Sequence, residues 1–309
     1  SPMFQSAVKY KCAFQSITSQ NSIKLCYNAK NYTEEVVMER LLDPKNDWAF
    51  KQVFGQEKNK AILIHFLNDM LDEHVLHGDR ITNVRFLRVD LDTEIALLRQ
   101  SIVDVLCKTK NGTHFIIEMQ KASDSGFINR AVEYASRVYL NQRTKTSKIK
   151  NDKGGYKKLM PVIFLAVIDD TLFPKKKAFL SHHQLRDIIT GEHDMKQMSF
   201  SFFELSKFHK KFDQLETNID KWAYFFKNAQ HIDPKELKTI LEDGEIFGDA
   251  YKVLESSAYT PEELLEYYRY QQKEEDIQTR INDAHKSGLK KGKKEGEKYD
   301  NGGKNSTAK

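Results

Sequence analysis

The sequence predicts an α/β protein in which a mixed central sheet is flanked by helices and followed by a helical C-terminal region. Three observations carry this expectation. An Asn111-Gly112 pair joins two apolar runs, the strongest short signal for an antiparallel hairpin. A segment of helical period then separates that hairpin from "PVIFLAVI", Pro161 to Ile168, a continuous apolar run typical of a strand covered on both faces. After about Phe212 the apolar pattern is helical throughout, and no sheet-forming run remains.

Taken in order, residues 1–36 have weak periodicity and stay undetermined. "NDWAFKQVFG", Asn46 to Gly55, opens a helix that Asn46 or Asp47 can cap, with Trp48, Phe50, Val53 and Phe54 near one face. In "NKAILIHFLNDMLDE" the residues Ile62, Leu63, Phe66, Leu67, Met70 and Leu71 recur at three-to-four spacing and predict a second helix. "ITNVRFLRVDL" from Ile81 alternates as a strand does. The hairpin follows, with Ile102, Val103, Val105 and Leu106 before the turn and Phe115, Ile116 and Ile117 after it. Phe127 to Gln142 returns to helical spacing through Ala131, Tyr134, Ala135, Val138 and Tyr139. Beyond the apolar strand, "MSFSFFELSKF" from Met198 predicts a further strand. "NIDKWAYFFKNA", "PKELKTILEDGEIFGDAYKVLESS" and a long segment from Pro261 predict helices, the last capped by Thr260 with proline at its first position. The expected organisation is an undetermined segment 1–36, a sheet-containing domain 37–212, a helical region 213–283 and a frayed, partly disordered basic tail 284–309. The tail is expected to fray because Gly288, Gly292 and Gly296 each cost about 1 kcal/mol inside a helix.

A chain of 309 residues, 39% hydrophobic, buries a sizeable core and is long for one compact domain. Its longest apolar run is far too short for a membrane span, and no basic-then-apolar leader opens it, so the expectation is a cytoplasmic protein with no membrane partner. Cys12, Cys26 and Cys107 are odd in number and widely spaced, which fits a reducing compartment and argues against a structural zinc site. Charge is concentrated. Residues 284–309 hold eight lysines and three acids, a net +5 that equals the formal charge of the whole chain. Arg143 to Lys158 adds seven basic residues against one acid. Such runs attract phosphate backbones through counterion release, without sequence selectivity.

The chemistry sits in the hairpin. Glu118 and Gln120 are two apart on one strand and share a face, while Met119 points to the other. The tight turn brings Asp104 alongside on the neighbouring strand. Facing carboxylates that are partly buried repel each other and lose hydration, so the arrangement is costly unless a cation sits between them. A hard divalent ion such as Mg²⁺ meets that need and completes its shell with water and substrate phosphate.

Asp104, a fourteen-residue spacing and then Glu118-Met119-Gln120 resemble the D…E-x-Q variant of the PD-(D/E)XK nuclease fold. "DPKNDWAFKQVFG" at Asp43 to Gly55, the hairpin, "RAVEYASRVY" at Arg130 to Tyr139, "KLMPVIFLAVID" at Lys158 to Asp169, and "LSHHQL…TGEHDM" at Leu180 to Met195 together resemble the Rpn family. These are bacterial recombination-promoting nucleases, also labelled PD-(D/E)XK transposases. The resemblance spans about Leu41 to Phe212 and takes in the glycine-punctuated tail.

It implies a restriction-endonuclease-like core and metal-dependent cleavage of DNA that promotes recombination or mobile-element movement. Asp104 and Glu118 would ligate Mg²⁺, or another divalent cation, with the Met119 carbonyl contributing. Asp47 would be an auxiliary carboxylate. Gln120 stands where the wider superfamily usually has lysine. A neutral amide can orient a water but supplies no positive charge. Lys51, Arg130, Tyr134 and Arg137, with Arg143, Lys145, Lys148 and Lys150 of the basic segment, would face DNA. The expected partners are DNA and a second copy of the chain as a homo-oligomer, at the nucleoid when DNA is bound. The alternative is a DNA-binding or regulatory protein that keeps the fold without turnover. His182-His183 is adjacent in a strand and lacks other ligands at metal spacing, so structural roles are favoured there.

Overall fold

The Asn-Gly hairpin lies near the middle of a six-stranded sheet ordered β1-β2-β3-β4-β6-β5. A computed structural model describes residues 41–71, 73–76, 78–87, 103–121, 125–147, 155–244 and 246–303. Its strands are β1 (Val84–Phe86), β2 (Val105–Thr109), β3 (His114–Gln120), β4 (Val162–Ile168), β5 (Leu180–Leu185) and β6 (Met195–Glu204). The pairs β1/β2, β2/β3 and β5/β6 are antiparallel, and β3/β4 and β4/β6 are parallel, so the sheet is mixed.

Gly112 turns the hairpin with φ of 92°, and a Cβ there would come within 2.8 Å of the Met160 side chain, so glycine is required on two counts. The crossover from β3 to β4 is made by helix α4 (Phe127–Ser147), which runs on past Gln142 because nothing in the following residues breaks it. Before the sheet come α1 (Asp47–Phe54), α2 (Lys60–Met70) and a short α3 (Glu73–Leu76). After it come α5 (Asn218–Asn228), α6 (Pro234–Glu242), α7 (Ile246–Val253) and α8 (Pro261–Gly303).

Strand alternation sorts β3 between two cores. Phe115, Ile117 and Met119 face a large core with Phe50 and Phe54 of α1, Phe66 of α2, and Trp222, Phe225, Tyr251 and Tyr267 of the C-terminal helices. Ile116 faces the opposite side, where Phe127, Ala131, Ala135 and Val138 of α4 pack with Phe164 and Phe202. The boundary read at 212 therefore marks the end of the sheet and not the end of the core.

Three further differences from the sequence reading have physical causes. The strand expected from Ile81 is strand over Val84–Phe86 alone, Ile81–Asn83 and Leu87 lying outside it, and the residues after Leu87 fall outside the described residues. β5 is absent from the strands that apolar pattern predicts, because an edge strand reading "LSHHQL" carries no apolar period beyond its paired histidines; it is held by pairing with β6. The tail is helical where fraying was expected: α8 passes through Gly288 and Gly292 to Gly303, with leucine, lysine and glutamate, all good helix formers, between the glycines. Residues 1–40, including the whole undetermined N-terminal segment, lie outside the described residues.

Candidate active site

The site forms where the β2/β3 ladder runs out. Its last register pair is Val105 with Ile117, so the next backbone groups must find other partners. The Met119 N–H donates to Asp104 Oδ2 at 2.9 Å, and the Asp104 N–H donates to Glu118 Oε2 at 3.1 Å. Each carboxylate thus caps the other residue's strand, which fixes both side chains at the open end of the hairpin.

Helix α1 supplies the third side of the site. Asn46 caps it, its side chain accepting from the N–H of Trp48 at 3.0 Å and of Ala49 at 3.4 Å. Of the two candidate caps, then, Asn46 takes the role, and Asp47 is left in the first turn. Lys51 follows four residues later on the same helical face and places Nζ 3.0 Å from Asp104 Oδ1.

The electrostatics are those of crowded acids. Burial, then the nearby charges of Asp104 and Asp47, push Glu118 well above the usual carboxylate range, against the Asp104 N–H bond and Lys51. Burial and Asp104 likewise raise Asp47, although Lys51, Lys121 and Lys273 oppose them. Burial alone would depress Lys51, but the charge and hydrogen bond of Asp104, with Asp47, outweigh it and lift its pKa.

The opposite face brings α4 to the hairpin. Arg130 donates from Nη2 to Gln120 Oε1 at 2.9 Å and lies over the Phe127 ring at 5.4 Å. Tyr134 is half-buried against the second core, and Arg137 is paired with Glu133 one turn away. Arg143 and Lys145 lie in the last turns of α4, with side chains outside what is described; Lys148 and Lys150 fall outside the described residues. The adjacent histidines take structural partners: His182 Nδ1 meets Ser201 Oγ at 2.8 Å, and His183 packs on the rings of Phe173 and Phe202.

Sequence reasoning missed the contribution of α8. Lys121, directly after Gln120, pairs with Asp43 at 3.5 Å and with Glu274 at 2.5 Å. Tyr270 places its ring 5.9 Å from Lys51 Nζ, and the Tyr267 hydroxyl accepts from the Asp43 N–H at 3.2 Å. The position of Lys121 beside the motif was a readable signal, whereas Glu274 arrives from 153 residues away with no local sign.

Among the described residues no three His, Cys, Asp or Glu side chains stand close enough to hold a metal by themselves. Mg²⁺ does not need three: it is commonly bound by one or two carboxylates, with water and substrate phosphate completing the shell. Asp104 and Glu118 bring the hard oxygen donors that such an ion prefers, at one end of the hairpin.

A stability prediction follows from Glu118. Because its folded-state pKa is raised, its contribution to stability is full below the ordinary value of 4.5 and is lost as pH rises through the folded-state value. Above the ordinary carboxylate range the group is therefore destabilising when no cation is bound. Glu118→Gln keeps an acceptor for the Asp104 N–H, and in EDTA it should raise the melting temperature at pH 8 and change it little at pH 4. A lower melting temperature at pH 8 contradicts this account.

A family model described as PD-(D/E)XK nuclease family transposase matches residues 44–284, from just before α1 into α8. No curated protein and no solved structure matches the chain.

Proposed function

The chain belongs to the PD-(D/E)XK nuclease family transposases, and on that premise we propose that it is an endonuclease that hydrolyses DNA phosphodiester bonds with Mg²⁺. The observation that carries this reading is the reciprocal capping of Asp104 and Glu118 at the open end of the hairpin, with a third acid, Asp47, close enough to raise the pKa of Glu118. Asp104 and Glu118 would hold the ion, with the Met119 carbonyl. When bound, it would lower the pKa of an attacking water and stabilise charge on the phosphoryl oxygens. Asp47, its proton affinity raised by burial, is suited to take a proton from that water. Gln120, held by Arg130, orients rather than charges its surroundings. Arg143, Lys145, Lys148 and Lys150 carry the electrostatic contact with the DNA backbone. Cut ends made this way would promote recombination or mobile-element movement in the cytoplasm, at the nucleoid.

A second reading, a DNA-binding protein without turnover, is favoured by one observation. Both Asp104 oxygens already have partners, Lys51 and the Met119 N–H, so an ion must share or displace one of them. Incubating the purified chain with supercoiled plasmid in Mg²⁺ and in EDTA separates the two. Nicked or linear product that depends on the divalent ion is expected; retarded but intact plasmid in both conditions would establish the second reading.

A further inference from the structure

We propose that Lys51 is a catalytic residue of this site: its ammonium, delivered from helix α1, contacts the scissile phosphate and supplies the positive charge that position 120 lacks. This rests on the nuclease reading above. Attack on a phosphodiester forms a bond from the water oxygen to phosphorus and breaks an ester P–O bond, while the water's proton passes to Asp47 and the leaving alkoxide takes one from solvent water. Negative charge grows on the non-bridging oxygens meanwhile, and fixed cations lower that barrier. Lys51 would donate hydrogen bonds to those oxygens and give up no proton.

The other cations nearby are committed elsewhere. Lys121 lies between Asp43 and Glu274, Lys45 holds Asp169 at 2.7 Å, and Arg130 is bonded to Gln120. Among the described residues Lys51 is the cation paired with a hairpin carboxylate, its Nζ 3.0 Å from Asp104 Oδ1. Its helix is fixed, since Phe50, Val53 and Phe54 are fully buried and Asn46 caps the first turn. A four-carbon stem on a rigid base can move its head from Asp104 to a phosphate oxygen without moving the backbone.

The full-length chain, Lys51→Met and Lys51→Ala provide the test. Duplex binding is measured against salt concentration in Ca²⁺, and cleavage in Mg²⁺. A phosphate contact contributes about 0.9 to the slope of log K against log salt, so Lys51→Met should lower the slope by about that amount. Lys51→Ala should lose about 10²–10³ in kcat, the cost of removing one fixed donor at a developing anion. Methylammonium should restore part of that loss in proportion to its concentration. An unchanged slope overturns the proposal whatever the activity, because a lysine that only neutralises Asp104 does not release phosphate counterions. Cleavage by Lys51→Ala within threefold of the parent overturns it too. If the parent itself does not cut, the nuclease reading fails, and the slope still decides whether Lys51 meets phosphate.

Discussion

Asp104→Asn lowers Mg²⁺-dependent cleavage by about 10³-fold or more and leaves the chain folded. A factor of 10³ corresponds to about 4 kcal/mol of transition-state stabilisation, within reach of losing one of two carboxylate ligands. The asparagine substitution isolates the charge, because its side-chain oxygen can still accept from the Met119 N–H. Alanine would not isolate it: that N–H would lose its partner at a cost of about 1–3 kcal/mol, and lost activity could then be lost structure. Asparagine also removes the strongest neighbouring charge acting on Glu118, so its carboxyl titrates closer to the ordinary range. Two measurements check the prediction: cleavage of a labelled duplex, and the rise in melting temperature on adding Mg²⁺. The rise should be present in the parent and shrink in the variant. Cleavage within tenfold of the parent would mean that the ion is not held at this hairpin.

Much of this site could be read from local pattern, since its chemistry is packed into one hairpin. The Asn-Gly turn sets the register, the register puts Asp104 beside Glu118, and alternation puts Gln120 on the face that Arg130 reaches. Strand geometry has a period of two and tolerates no slip, so a few residues specify it. What the pattern could not supply is everything that depends on how distant helices land. Glu274, Tyr270 and Tyr267 approach from α8, and nothing in their own sequence distinguishes them from other residues of a charged, tyrosine-bearing helix. The choice of Asn46 over Asp47 as the cap was a close local competition, and its outcome leaves Asp47 to perturb Glu118. The order β4-β6-β5 was equally invisible, since β6 bypasses its sequence neighbour to pair in parallel with β4.

The same dependence on distant helices makes Trp222→Ala the substitution with the largest expected effect on stability, about 3–5 kcal/mol. Trp222 is fully buried, with its ring 5.1 Å from that of Phe66, 5.9 Å from Phe54 and 4.6 Å from Phe247, and its Nε1 donates to Asp69 Oδ2 at 2.8 Å. Removing it opens a cavity where α1, α2, α5 and α7 meet, against a total stability on the order of 5–15 kcal/mol. The consequence reaches the hairpin. Phe50 and Phe54 pack on Phe226 of α5, and the helix that carries them also carries Asp47 and Lys51. Loosening α5 therefore loosens one wall of the acidic cluster, so cleavage should fall together with stability as temperature rises. Urea unfolding followed by circular dichroism should show one transition with a lower midpoint. A sheet-and-α1 unit that melts separately from the C-terminal helices, or a loss below about 1 kcal/mol, would mean that α5 to α7 merely rest on the core. In that case a chain ending at residue 212 should fold; with Trp222 and Phe226 as part of the core, the same truncation exposes Phe50, Phe54 and Phe66 to water and should not.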